Sequence, residues 1–458
     1  MTIYRWAVAL GFALLSTSCS SSPAVEPSVE ATQRPSNSTA TATAEVTPET
    51  SPASTTAPAR TTAPTSVVVR TGSEILVAAG FDHIEGMRVG LISHQNSLVE
   101  GTHLGDLLHA APNVTLAALF GPEHGARGDA DAGEYVDDAI DASTGVPIYS
   151  LFGPTRQPTQ EMLEGIDVLL YDLQDVGARY YTYISTMGLA MQAAAEADVA
   201  FVVLDRPNPL GGQIGGGVLM APHTSFVGLY ALPDVYGLTA GELALEIVRR
   251  DSIPGLEKLR LSVIEMQGWD HSMVWQDTGL PWIPPSPAMT TPDAALLYPA
   301  TIYFEATSLS YGRGTERPFQ VIAAPWLDAV ALQDELRGRA LPGIDFQATS
   351  ITPRMLLDMT VEPVHLDETI PAIELVVTNA HTLRATEVGV HLLDAIVQQA
   401  NAMGIDVLAR PEWMDQLSGS TSLRRALEDG STAEEILVLH QRQRSGAADV
   451  LQAMRIYD

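Results

Sequence analysis

The stretch Leu116-Ala117-Ala118-Leu119-Phe120-Gly121-Pro122-Glu123-His124-Gly125-Ala126-Arg127-Gly128-Asp129 decides how this chain is read. Its first half is a short apolar run with the pattern of a buried strand, and its second half turns abruptly polar. Gly121, Pro122, Gly125 and Gly128 bar a regular continuation, so a carboxylate (Glu123), an imidazole (His124) and a guanidinium (Arg127) crowd into one break. Open α/β sheets place their ligands at the carboxyl ends of parallel strands. Taken alone, the stretch also reads as an acidic turn solvated at a strand end, and the rest of the chain decides between the two.

Working outward, apolar runs and helical stretches alternate. Met87–Ser93, Val114–Phe120, Val146–Leu151, Asp167–Tyr171 and Val199–Leu204 read as strands. Leu104–Ala110, Gln160–Gly165 and Ile184–Glu196 read as helices. This alternation predicts βαβ units and a parallel sheet, hence an α/β fold. Four of the strands end in polar clusters: His94-Gln95-Asn96, Glu123-His124-Arg127, Asp172-Gln174-Asp175-Arg179 and Asp205-Arg206-Asn208. Parallel strands carry those ends to one edge of the sheet, and four converging clusters point to a pocket.

Beyond Gly237 the pattern changes. Thr239–Arg250 is a predicted helix, with Thr239 as N-cap and Glu242 completing a capping box. Leu261–Ile264 reads as a strand. A long loop, Trp269–Pro292, carries Trp275 and Trp282 among prolines, and such loops are functional or act as linkers. The indole of Trp282 suits the apolar face of a sugar ring or, equally, a plug between domains. The loop Glu305–Phe319 sets Arg313 and Arg317 among small residues, where a guanidinium fork can clamp a carboxylate. The remainder, with strand-like Ala372–Val377 and helices around Val388–Ala400, Ser422–Glu428 and Ala447–Met454, reads as an α+β domain.

The composition excludes several functions. A formal net charge of −30 leaves no basic stripe for nucleic acid. Lys258 is the only lysine, which removes Ser-x-x-Lys, P-loop and Schiff-base chemistry. The run Gly211–Gly217 follows a Pro-Asn-Pro loop and opens no evident helix, so it lacks the setting of a dinucleotide fingerprint. No Gly-x-Ser-x-Gly elbow and no His-Glu-x-x-His occurs. Asp129, Asp131 and Glu134 share a loop, but Gly133 is misplaced for an EF-hand. Carboxylates and arginines remain, with no metal or cofactor expected.

The N-terminus has the form of an export signal. Arg5 precedes an apolar run, Trp6–Leu15, too short to span a bilayer, and Cys19 follows as the sole cysteine of the chain. This arrangement resembles a lipobox with the lipid on Cys19; a plain secreted protein is the alternative. Residues 20–66 are mostly Ser, Thr, Pro and Ala with hardly any large apolar residue, so they bury too little surface to offset ordering entropy and read as a tether.

With these stretches in view, the chain resembles the exo-β-N-acetylmuramidase family of the NamZ type, formerly a domain of unknown function. The resemblance rests on Phe120–Gly128 (FGPEHGARG), Pro147–Gly153 (PIYSLFG), Tyr171–Thr186 (YDLQDVGARYYTYIST) and Leu204–Gly212 (LDRPNPLGG). Gly237–Glu242 (GLTAGE), Thr278–Pro287 (TGLPWIPPSP) and Gly312–Phe319 (GRGTERPF) extend it. It implies a Rossmann-like catalytic domain, residues 67–294, and an auxiliary domain, residues 295–458, behind a signal peptide (1–19) and a linker (20–66). It also implies release of N-acetylmuramic acid from the non-reducing ends of peptidoglycan fragments, with Glu123 as the leading catalytic residue. Ala288, Ser308 and Tyr311 depart from the family's usual asparagine, asparagine and glutamate.

Glycoside hydrolysis typically needs two carboxyl groups, so Glu123 is expected to pair with Asp172 or Asp175, with His124 and Arg127 tuning it. Asn96, Arg127, Gln174, Arg179, Tyr183, Asp205, Arg206, Asn208, Trp282, Glu305 and Arg313 are the expected substrate contacts. Arg313 is the first choice for the lactyl carboxylate of muramic acid, followed by Arg127, Arg179 and Arg206. A non-catalytic muropeptide-binding lipoprotein is the runner-up, and a carboxylate-dependent amidase or esterase, for which no nucleophile motif exists, comes third. For localisation, Cys19→Ala is expected to move the protein from the membrane fraction to the soluble fraction. Identical partitioning of variant and wild type would refute the lipid anchor.

Overall fold

Runs of Val, Leu and Ile bounded by glycine and proline become one seven-stranded sheet. Its strands are β1 (Arg88–Ser93), β2 (Thr115–Gly121), β3 (Ala139–Ile140), β4 (Pro147–Ser150), β5 (Val168–Asp172), β6 (Ala200–Leu204) and β7 (Leu261–Ile264). The spatial order is β7-β6-β5-β1-β2-β4-β3. Every neighbouring pair is parallel except β3 with β4. The computed structural model describes residues 68–128, 137–250, 252–356, 359–360 and 362–457. Cys19, the leader, the tether and the loop with Asp129, Asp131 and Glu134 lie outside the described residues.

Alternation along each strand divides the sheet's two faces. Leu91, Leu119, Leu170 and Val202 pack with Leu76 of α1 (Gly72–Ala78) and Leu104 and Leu108 of α2 (Leu104–Ala110). Ile92, Phe120, Leu169 and Phe201 face the other way, onto Met187 of α3 (Tyr183–Glu196) and Leu243 of α4 (Ala240–Arg249). Helices on both faces of a mostly parallel sheet make the doubly wound α/β arrangement expected from the alternating pattern. Strand order reverses between β1 and β5, and such a switch point opens a crevice at the carboxyl edge.

The C-terminal region is α+β. Strands β8 (Val321–Ala323), β9 (Ile344–Ile351) and β10 (Ile370–Val377) form an antiparallel sheet in the order β8-β10-β9. Around it lie α5 (Pro292–Thr301), α6 (Ala329–Gly338) and α7 (Ala385–Ala402), then the short helices α8 (Pro411–Ser418), α9 (Ser422–Glu428), α10 (Ala433–Gln443) and α11 (Ala447–Gln452). One apolar cluster continues from Ile92 and Phe120 through Tyr180 into Leu296, Val388 and Leu417, so both regions share a core.

Local signals placed most elements. The Thr239/Glu242 capping box is present at α4, and Thr71 with Glu74 builds an equivalent box at α1, which the pattern reading left out. Gln160–Gly165 is a series of turns rather than a helix, closed by Gly165 at φ 73° before a full turn can propagate. The glycine run after Asn208 opens a strand, Gly215–Val218, paired antiparallel with Pro233–Val235.

A buried ion pair ties the regions together. Arg179 Nη2 donates to Asp234 Oδ1 at 2.6 Å and to the Leu417 carbonyl of α8 at 2.7 Å. Asp234 Oδ2 also accepts from Tyr303 Oη at 2.6 Å and from the Gly217 amide at 2.8 Å. Arg179 and Asp234 are 0% and 1% exposed, so removing one partner strands a charge without water. Asp234→Ala is therefore expected to destabilise the fold by about 3–5 kcal/mol, measured as a lower midpoint of urea unfolding. An unchanged midpoint would show that the pair is not the tie.

Candidate active site

The decisive turn is made by its backbone. β2 stops at Gly121, where an added Cβ would lie 2.7 Å from the Ala126 nitrogen, and Pro122 offers no N–H to continue the ladder. The Gly125 amide closes the turn onto the Pro122 carbonyl at 2.9 Å. His124 sits at its third position with φ +75°, a conformation that favours glycine and costs about 1–3 kcal/mol for other residues. The strained turn presents Glu123 and His124 to a cavity of about 420 Å³.

Both regions build that cavity. The N-terminal region supplies Glu123, His124, Tyr180, Tyr181 and Thr182; the C-terminal region supplies Tyr298, Glu305, Arg313, Trp413 and Gln416. Thr182 Oγ1 donates to Glu123 Oε2 at 2.8 Å, holding the carboxylate from the loop that follows β5. Tyr183 Oη donates to the Pro285 carbonyl at 2.8 Å and lies 3.3 Å from the Glu123 carbonyl, bracing the turn from behind.

Glu305 is the second carboxyl on the lining. Burial pushes its pKa above the ordinary glutamate range and nearby Glu123 adds to this, while Arg313 and Arg410 oppose it. The Arg313 guanidinium stands 5.7 Å from the ring centroids of Tyr311 and Phe319, and its Nε is buried without a hydrogen-bond partner among the described residues. Phe152, Arg156, Ser225 and Phe226 line the same cavity. Two carboxyls, two guanidiniums and a wall of aromatic rings suit a polar ring-shaped ligand with a negative substituent.

Of the residues expected from sequence, Glu123, His124, Glu305 and Arg313 meet on the lining. The others do not, for a shared reason: their polar groups join strand ends and loops to one another. Asp172 is wholly buried in an ion pair with Arg206 Nε at 2.7 Å. Asp175 accepts from Tyr236 Oη at 2.5 Å and the Gly177 amide at 2.7 Å. Arg127 is engaged by Asp141 at 2.6 and 2.8 Å and by Asp106 at 2.6 Å, and Arg179 by Asp234. Asp205 accepts from Thr239 Oγ1, Tyr457 Oη and the Gly241 amide at the start of α4.

Asn96 donates to the Ile283 carbonyl, Gln174 to those of Asp175 and Pro207, and Asn208 to that of Leu238. Trp282 donates to Met289 O and meets Trp275 edge-on, which is the plug reading rather than the sugar platform. Arg156, Phe226, Tyr298 and Trp413 escaped the sequence reading. Tyr180, Tyr181 and Thr182 lay beside Tyr183 in a quoted motif, but only the tertiary fold distinguishes the cavity-lining members of that run from its brace.

An open parallel sheet with a carboxylate-bearing cavity at its carboxyl edge, closed by an α+β region, defines a two-part α/β protein built around a small polar ligand. The comparisons with known proteins narrow this. The family model described as Exo-beta-N-acetylmuramidase NamZ, N-terminal, matches residues 89–293, and its C-terminal counterpart matches residues 296–457. The chain belongs to this NamZ family. It is 39% identical over 376 residues to the peptidoglycan beta-N-acetylmuramidase NamZ of Bacillus subtilis (strain 168), covering 82% of this chain and 88% of that protein. A DUF1343 family protein of Bacteroides fragilis superposes with a TM-score of 0.78 at 37% identity, covering 86% of this chain and all of that one. A second from the same organism gives 0.69 at 30% identity, covering 85% and 99%.

The polar strand ends carry a pH signature of their own. Burial pushes the Asp175 carboxyl up to about 6, against the opposing hydrogen bonds from Tyr236 and Gly177. Its folded value lies above the unfolded one, so the stability it contributes is complete below about pH 4 and is lost as pH rises through about 6. Relative to Asp175→Asn, the wild type is expected to lose about 3 kcal/mol between about pH 4 and pH 7. Urea unfolding of both proteins across that range checks it, and a pH-independent difference would contradict it.

Proposed function

We propose that this chain is an exo-acting glycoside hydrolase that releases N-acetylmuramic acid from the non-reducing ends of peptidoglycan fragments, with Glu123 as the acid/base residue. The supporting observation is that Glu123 and Glu305 line one cavity with aromatic walls, in a chain of the NamZ family. The proposal also sets the protein outside the cytoplasm, held by a lipid on Cys19.

The chemistry follows from the needs of the bond. Cleaving a glycosidic link through an oxocarbenium-like transition state requires a proton for the leaving oxygen and a negative group to stabilise or attack the anomeric carbon. Glu123, aimed by its strained turn and steadied by Thr182, supplies and later removes the proton. Glu305 takes the second position in place of Asp172 or Asp175, both of which are tied up away from the cavity. Burial, with Glu123 nearby, raises the pKa of Glu305. Tyr180, Tyr181 and Tyr298 wall the ring and exclude water.

Glu123→Gln keeps shape and hydrogen bonding but removes the titrating proton. Turnover of a chromogenic β-N-acetylmuramide should fall about 10²–10⁴-fold with the melting temperature unchanged. A well-folded variant that keeps most of its activity would take the acid/base role from Glu123 and give it to Glu305.

A further inference from the structure

The cavity holds two arginines in different electrostatic situations. Arg313 is deeply buried, and Tyr311, Glu305, Tyr298 and Glu123 around it favour its charged form. Arg156 has no hydrogen bond or ion pair among the described residues, yet it is firmly placed. Its guanidinium carbon lies 4.6 Å from the centroid of Phe152 and 4.1 Å from that of Phe226. The two rings, 6.1 Å apart with planes at 47°, form an open V that holds the guanidinium.

Each arm of the V is fixed independently. Phe152 follows β4, and its amide donates to Ser150 Oγ at 3.1 Å. Phe226 rides a tight turn in which Ser225 and Gly228 exchange backbone hydrogen bonds at 2.9 and 3.0 Å. Cation–π contact with a ring leaves the N–H donors of a guanidinium still in need of hydrogen-bond acceptors. Donors of that kind on the cavity lining, with no hydrogen-bonded carboxylate among the described residues, match a carboxylate brought in by the ligand.

We propose that Arg156, bracketed by Phe152 and Phe226, is the specificity residue that reads the carboxylate carried on the substrate's 3-O-lactyl arm. The proposal rests on the muramidase reading and displaces Arg313 from that role. Two sources offer the same chemistry: the free lactyl carboxylate of an unsubstituted sugar, and the terminal carboxylate of a peptide attached to it. Phe152 and Phe226 hold the fork.

The test uses the whole protein and two matched pairs of chromogenic β-muramides. One pair is the free lactyl acid and its methyl ester; the other carries L-alanine on the lactyl group, as free acid and as methyl ester. Wild type is expected to prefer the acid in at least one pair, and Arg156→Gln to reduce that preference in kcat/KM by about 10- to 100-fold. Loss in the first pair identifies the lactyl carboxylate, and loss in the second identifies the peptide carboxylate. A wild type without preference, a preference that survives Arg156→Gln, or one lost only in Arg313→Gln would each overturn the proposal. Should Arg156→Gln melt early, Arg156→Lys, which keeps the charge and loses the fork, serves in its place. If wild type cleaves none of the four, the muramidase reading fails. Calorimetric binding of N-acetylmuramic acid against its methyl ester, wild type against variant, then still decides the role of Arg156.

Discussion

The buried pair of Arg179 and Asp234 is the constraint on which the rest of the molecule depends. A guanidinium and a carboxylate taken fully out of water need every neighbouring group to answer them, and here the answers come from across the chain. Arg179 comes from the loop after β5, Asp234 from the hairpin, Tyr303 from the 3-10 turn that follows α5, and the Leu417 carbonyl from α8. Each contact is short and directional, so together they fix how the α+β region sits on the carboxyl edge of the sheet. The cavity exists only in that placement, because Tyr180 and Thr182 face Tyr298, Glu305 and Trp413 across it.

A second constraint is the turn after β2. A histidine at φ +75° is held there by a hydrogen-bonded turn, a proline and the close approach of the Ala126 backbone to Gly121, and the strain sits next to the carboxylate it aims. Strain at such a position persists when the surroundings over-determine it, as the Tyr183 brace and the Thr182 hydrogen bond do here. The catalytic proposal therefore rests on a rigid group in a preformed cavity, and little reorganisation is needed when a sugar arrives.

Much of the fold was legible in the chain. Short, near-continuous apolar runs separated by helical stretches identify β1, β2, β4, β5, β6 and β7, and the Thr239/Glu242 box marks the start of α4. The short edge strand β3 and the six-residue turn after Thr159 were not legible, since segments that brief carry no periodicity. Of the site, Glu123, His124 and Arg313 were readable because each sits in a glycine-punctuated loop, and Glu305 because it opens the arginine-bearing stretch, although it folds into a short 3-10 turn, Ile302–Ala306. Asp172, Asp175, Arg127, Arg179, Asp205 and Arg206 carry the same kind of signal and proved to be ties between loops. A buried structural carboxylate and a catalytic one look alike until the partner is known.

The sequence by itself determined the parallel sheet, the carboxyl edge as the place of the site, the turn that carries Glu123, and the family. Those features follow from local periodicity and from short motifs whose residues are neighbours in the chain. Only the tertiary structure decided which charges are already answered. That question depends on partners about 60 to 240 residues away, as with Arg179 and its bonds to Asp234 and Leu417. It took Arg127, Arg179, Arg206, Asp172, Asp175 and Asp205 off the cavity lining and brought Glu305 onto it with Glu123. It also set Arg156 between two phenylalanines that no spacing in the chain brings together.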